Sequence, residues 1–264
     1  MKTLTACLLL AAFPGQESKP DKIGKDKPPI VAKKFLAELQ KRKSAVIVEL
    51  SVYAAGPQKM ESTYEGILRK DFAAVKGSAE VYAKGAQVLV NTGGRFDPPE
   101  ALEGQEAGPA LTFKNPSLIL EELTRVAASA SFGGDETVDG RECRVVDFVA
   151  DAAALKKALR DLGDRLAKTV GKQLAPGGVQ IIDFKTAWDE RASVATYRVC
   201  VGMADLNIYR VEFVLRPKMK PGAFPKEIPF PAEFDQRWDI RFTKWDEEAP
   251  FEIPGPVKVK LGVK

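Results

Sequence analysis

The 264-residue sequence has no histidine. That absence excludes serine–histidine and cysteine–histidine catalytic pairs and histidine general bases, and it removes the commonest protein ligand of zinc. Chemistry by carboxylates or lysines stays open. Cysteine is scarce, at three residues, Cys7, Cys143 and Cys200. A concentrated basic stripe is also missing. Lysine plus arginine exceed aspartate plus glutamate by only four, 40 against 36, and no cationic run is longer than Lys41-Arg42-Lys43. Nucleic-acid binding normally needs such a stripe, so it is not expected. A mildly basic surface beside an anionic membrane stays compatible with the charge. No apolar run is long enough to span a bilayer, so the mature chain is expected to carry no integral membrane span.

What is present suits a globular protein. Apolar residues make up 45% and charged residues 29%, enough for one large β domain or two small ones. Met1-Lys2 followed by the apolar run Thr3–Phe13 and a polar, proline-rich stretch has the order of an export signal, placed at residues 1–17. Residues 18–29 read as a flexible lead-in, and residues 30–264 as a single domain. Leu4-Thr5-Ala6-Cys7 has the outline of a lipidation box, but the apolar stretch runs on past Cys7, where a lipidated cysteine should end it. With Cys7 removed, Cys143 and Cys200 remain. They are either a disulfide, in an oxidising compartment, or two small buried thiols.

Helical period appears three times. Ile30–Lys43 carries the stripe Val31, Phe35, Leu36 and Leu39. A second helix runs from Asn115-Pro116 to about Ala130, with Leu120 and Leu123 on one face. Asp151 opens a third, to Val170, with Leu155, Leu159, Leu162 and Leu166 in register. Elsewhere the period is two. It predicts strands over 45–53, 63–70, 79–84, 87–91, 132–138, 141–149, 179–188, 193–203, 205–216 and 236–245. The last three are the clearest: Tyr197, Tyr209, Phe213, Trp238 and Phe242 alternate with charged residues. Tight polar turns between consecutive strands imply an antiparallel meander. The class is therefore α+β: a large curved antiparallel sheet of about nine to eleven strands, with about three helices over its concave face.

No motif supplies a catalytic site. Gly133-Gly134-Asp135-Glu136 lacks the Gly-Lys-Ser/Thr of a phosphate loop and reads as a turn. Asp246-Glu247-Glu248 lacks the alternating oxygen ligands and central glycine of a calcium loop. Glu65, Asp147, Asp183 and Asp239 sit in predicted strands, where at least Glu65 and Asp239 fall on polar faces. Neither cysteine has a histidine partner. The expectation is no catalytic residue, no metal and no cofactor.

The order of elements resembles the LolA-like superfamily of envelope carriers, including the LppX and LprG group. The resemblance runs through Tyr64-Glu65-Gly66-Ile67-Leu68, Ala79–Gly85, Asn115-Pro116 before a helix, Val138-Asp139-Gly140 before a strand, and a late strand ending at Ile253-Pro254. It covers most of residues 30–254 as a pattern. It implies a half-barrel closed by helices around a hollow apolar interior, able to take a lipid or the acyl chain of a lipoprotein. The residues expected to line that interior are Leu120, Leu123, Leu155, Leu159, Leu162, Leu166, Tyr197, Tyr209, Phe213, Trp238 and Phe242.

Three functions follow from this reading. The first is a non-enzymatic carrier of an apolar ligand in the cell envelope. The second is a protein-binding or scaffold module with a filled core, meeting an envelope partner through residues 92–112 or 217–231. The third, a carboxylate hydrolase, would need clustered acids in a concave pocket.

Overall fold

The computed structural model describes residues 21–55, 58–102, 113–173, 183–184, 186–223, 234–247 and 251–263. The signal-like segment, Cys7 and part of the 179–188 stretch lie outside them. The described residues of that stretch hold turns and a single bridge, Trp188 to Met219, in place of a strand.

Eleven strands form one antiparallel sheet. They are β1 (Ser44–Ala55), β2 (Gln58–Arg69), β3 (Phe72–Gly77), β4 (Glu80–Lys84), β5 (Gln87–Thr92), β6 (Arg95–Asp97), β7 (Ser131–Val138), β8 (Arg141–Val149), β9 (Val194–Gly202), β10 (Ile208–Arg216) and β11 (Phe234–Thr243). Two meanders, β1–β6 and β7–β11, are joined where β1 pairs with β11, Ile47 opposite Phe242. The sheet stays open, with β6 and β7 at its edges. The helices are α1 (Pro28–Lys41), α2 (Pro116–Val126), α3 (Ala152–Gln173) and α4 (Gly255–Leu261). This is the half-barrel architecture, with α1 to α3 on the inner face and α4 as a fourth helix on the outer one.

The alternation seen in the sequence decides the two faces. In β11, Phe234, Gln236, Trp238, Ile240 and Phe242 are buried, while Asp235, Arg237 and Arg241 are exposed. The inward residues join Val31, Phe35 and Leu36 of α1 and the stripes of α2 and α3 in the main core. Outward charges pair with one another. Arg210 grips Asp239 with two hydrogen bonds, 2.8 and 2.6 Å, and Arg198 Nε donates to Asp147 at 3.0 Å. Upstream of α1, Ile23 is 1% exposed and belongs to the same core.

Glycines at two places shape the sheet. Gly66 lets β2 press on β3, because a Cβ there would lie 1.9 Å from the Ala74 carbonyl oxygen. Gly133-Gly134, expected as a turn, is a bulge within β7. The register slips there, and Gly134 has φ +106°, where a side chain is strained.

Candidate functional site

Ten of the eleven residues expected to line the interior meet on the inner face. Leu120 and Leu123 come from α2, and Leu155, Leu159, Leu162 and Leu166 from α3. Tyr197, Phe213, Trp238 and Phe242 come from β9, β10 and β11. Tyr209 does not join them. The register between β9 and β10 slips between Ile208 and Arg210, so Tyr209 is an extra residue and points outward with Arg210. It packs there with Cys143, Cys200, Val138 and Val145.

The ten are packed against one another. Tyr197, Phe213 and Trp238 form a continuous stack, with centroids 4.7 and 5.2 Å apart. Phe213 is 1% exposed, Trp238 2% and Leu123 0%. Side chains so fully covered leave no water-sized space beside them. The centre of the inner face is filled, so open space lies towards the rims of the helices.

A buried polar strip crosses this core. Lys114 Nζ stands 4.2 Å from the Phe213 ring centroid and 2.9 Å from Glu122 Oε2. The same carboxylate oxygen accepts from the Tyr197 hydroxyl at 2.9 Å. Burial and the Glu122 charge together push the Tyr197 hydroxyl well above its ordinary pKa. On β1, Glu49 is fully buried and accepts from the Ser51 hydroxyl at 2.8 Å. Desolvation raises its pKa to about 8, with Ser51 and Lys114 pulling the other way. Glu49 thus holds its proton at neutral pH. With no exposed surface it cannot reach a substrate; it acts as a neutral hydrogen-bonding group in the core.

Two clefts flank α3. Successive residues turn by about 100° around a helix, so Lys157, Asp161 and Asp164 lie on one side of the buried stripe and Lys156 and Arg160 on the other. The larger cleft, about 680 Å³, lies between the first flank, α2, the β4–β5 hairpin and the end of α4. Its apolar wall is Val88, Leu89, Pro98, Pro99, Phe113, Leu118 and Leu261, and Lys114 and Glu122 reach it from below. None of the eleven sequence candidates lines it. Leu118 falls off the buried stripe of α2, and the β4–β5 hairpin is distant in sequence, so periodicity within one element could not find this cleft. The smaller cleft, about 480 Å³, lies on the second flank and touches one of the eleven, Leu159.

The sequence leaves open whether Cys143 and Cys200 are bonded. Both are buried free thiols on the outer face. Cys143 lies opposite Gly202, and Val145 opposite Cys200, so the two are diagonal neighbours on β8 and β9. Such diagonals are wider than a disulfide favours. Burial, ahead of the nearby carboxylates, raises the Cys143 pKa to about 11 and the Cys200 pKa to about 12, so both stay as unreactive thiols.

No family model matches the chain, and no curated protein sequence matches it. Among solved structures it is similar to the lipoprotein LppX of Mycobacterium tuberculosis, at 9% identity and TM-score 0.42, over 85% of this chain and 98% of that one. It is similar to LprF of Mycobacterium bovis at 14% identity and TM-score 0.40, over 88% and 99%. A LolA superfamily protein of Nitrosomonas europaea matches at 9% identity and TM-score 0.28, over 88% and 97%.

Proposed function

We propose that the protein is a non-enzymatic binder or carrier of an apolar, acyl-type ligand, exported to the cell envelope, and that the ligand lies in the cleft between α2, α3 and the β4–β5 hairpin. One observation carries this reading: a cleft of about 680 Å³ with one apolar wall and a charged rim. Its volume is that of an ordinary small-molecule site. The wall supplies affinity by burying the chain, at roughly 25 cal/mol per Å² of apolar surface. The rim, with Lys157, Asp161, Asp164 and Lys260, keeps a polar end in water. Export is supported by the signal-like order of residues 1–17, and no described helix is long and apolar enough to cross a membrane.

Titration with the uncharged fluorescent probe N-phenyl-1-naphthylamine tests the site. Saturable enhancement is expected, and Leu118→Glu should weaken it at least about tenfold, the order expected for a charge placed on an apolar wall. Circular dichroism should stay unchanged. Wild-type protein that ignores the probe, and that native mass spectrometry finds ligand-free after gentle purification, would overturn the reading. The filled centre of the inner face favours a second reading, a protein-binding module on the same fold, and that outcome would leave it standing.

A further inference from the structure

The smaller cleft differs from the larger one in charge. Lys156 and Arg160 stand one helical turn apart on α3, a spacing at which like charges repel. A third cation, Lys220, faces them from the segment after β10. That segment is held to the Trp188 segment by Lys220 N to Ala187 O and Asp189 N to Lys218 O, both 2.8 Å. Among the described residues that line the cleft, one carboxylate stands against these three cations: Glu190, at 3.9 Å from Lys156 Nζ and with both side chains more than half exposed. At that distance and exposure the pair neutralises little. Among the described residues, Lys220 Nζ donates once, to the Thr186 carbonyl at 2.8 Å, and an ammonium has three donors. Arg160 takes part in none of the ion pairs among the described residues.

The floor beneath is apolar, from Leu159 and Trp188. Trp188 is 3% exposed, yet its indole N–H is buried without a hydrogen-bond acceptor among the described residues. Buried donors are nearly always paired, so the orphan N–H makes the Trp188 indole a sensitive reporter of any change on this floor. Among the described residues, a net excess of cations and a guanidinium fork with no ion partner make the same chemical demand: an oxyanion.

We infer that this cleft is a second binding site, for a phosphate- or sulfate-type anion, placed so that an attached apolar chain can lie on Leu159 and Trp188. The site goes beyond the apolar cleft of the proposed function and does not depend on it.

The test follows the three indole N–H signals in a ¹⁵N–¹H spectrum, with the Trp188 signal assigned by its loss in Trp188→Phe. The probes are inorganic phosphate, dodecyl phosphate and dodecyltrimethylammonium, the amphiphiles below micelle formation. Saturable movement of the Trp188 signal with dodecyl phosphate is expected. The double variant Arg160→Ala, Lys220→Ala should weaken it at least about tenfold, as loss of charge-assisted hydrogen bonds implies. Added salt should weaken it in the wild type. If inorganic phosphate moves the same signal, the site takes free anions; if dodecyl phosphate alone does, the site takes the head group of an amphiphile. Either result supports the inference. No movement, an equal response to dodecyltrimethylammonium, or unchanged affinity in the double variant overturns it. The neutral probe of the other cleft reports separately, so either site can fail alone.

Discussion

Glu49 carries the most informative side chain in the core, because its protonation is set by burial alone against two favourable neighbours. Its folded-state pKa, about 8, lies above the ordinary carboxylate value of 4.5. Between those pH values the folded chain keeps a proton that the unfolded chain releases. Stability from this group is therefore complete below about pH 4.5 and is lost as the pH rises through about 8. Each pH unit between the two values is worth about 1.4 kcal/mol, so the full effect is on the order of 5 kcal/mol. Glu49→Gln keeps the shape and an acceptor for Ser51 but cannot titrate. In urea unfolding, the stability difference between Glu49→Gln and wild type should be small near pH 5 and grow to at least about 2 kcal/mol by pH 8.5 in favour of the variant. A difference that stays flat across that range would mean that Glu49 is already ionised in the core. No sequence pattern marks this residue. Alternation in β1 sets Val46, Val48, Leu50 and Val52 against Ile47, Glu49 and Ser51, and the more apolar set is the natural choice for the core. The pairing of β1 with both β2 and β11 instead turns Ala45, Ile47, Glu49 and Ser51 inward. Strand period gives two faces, and only the partners decide which face is the core.

Among the elements, α2 depends most on a single residue. Asn115 Oδ1 accepts from the Ser117 amide at 3.1 Å, which caps the helix. Its amide nitrogen also donates to the carbonyls of Asp71 and Gly85, at 3.1 and 3.0 Å. One 2%-exposed side chain thus fixes the start of α2 to the β2–β3 and β4–β5 turns, beside the larger cleft. Loss of the cap costs about 1 kcal/mol and each donated bond about the same, so Asn115→Ala should cost about 2–4 kcal/mol. That corresponds to a fall in Tm of about 5–12 °C. Asn115→Asp keeps the cap but removes both donors, so it should be at least as damaging; a neutral Asn115→Asp would assign the whole effect to the cap. The cap was legible as Asn-Pro-Ser before an apolar stripe, and so were the three long helices. The short β3 was not. Phe72, Ala73, Ala74 and Val75 are all buried, because α2 covers one face and α4 the other, and a strand buried on both faces shows no alternation. Nor was α4: Gly-Pro-Val-Lys-Val-Lys-Leu alternates like a strand, although Pro256 in its first turn and the left-handed Gly262 after its end are helix signals.

At the scale of the whole molecule, the sheet has two unequal halves. The main core spans the inner face from β1 to β11, and its composition was readable because alternation and three helical stripes agreed on one side. The filled centre and the open rims were not readable, since packing of side chains from many elements fixes them and no single pattern does. The outer face was not readable either. Beneath α4, the β2–β6 half hides a satellite core in which Tyr82 meets Phe96 and Phe251 edge-on, at 5.7 and 6.3 Å, and Val257 is 0% exposed. The β8–β11 half carries ion pairs and the cysteine cluster on the same face. The two outer surfaces share no buried residue, so the halves should respond separately to damage on that side. Val257→Asp buries a charge with no partner and removes an apolar contact, a loss of about 3–5 kcal/mol. Hydrogen exchange should then show β3–β5 amides losing protection well before those of β8–β10, because the satellite core holds only the first group. Equal loss of protection across all eleven strands would show instead that the inner core couples the sheet into one cooperative unit, and that α4 stabilises the whole of it through β1.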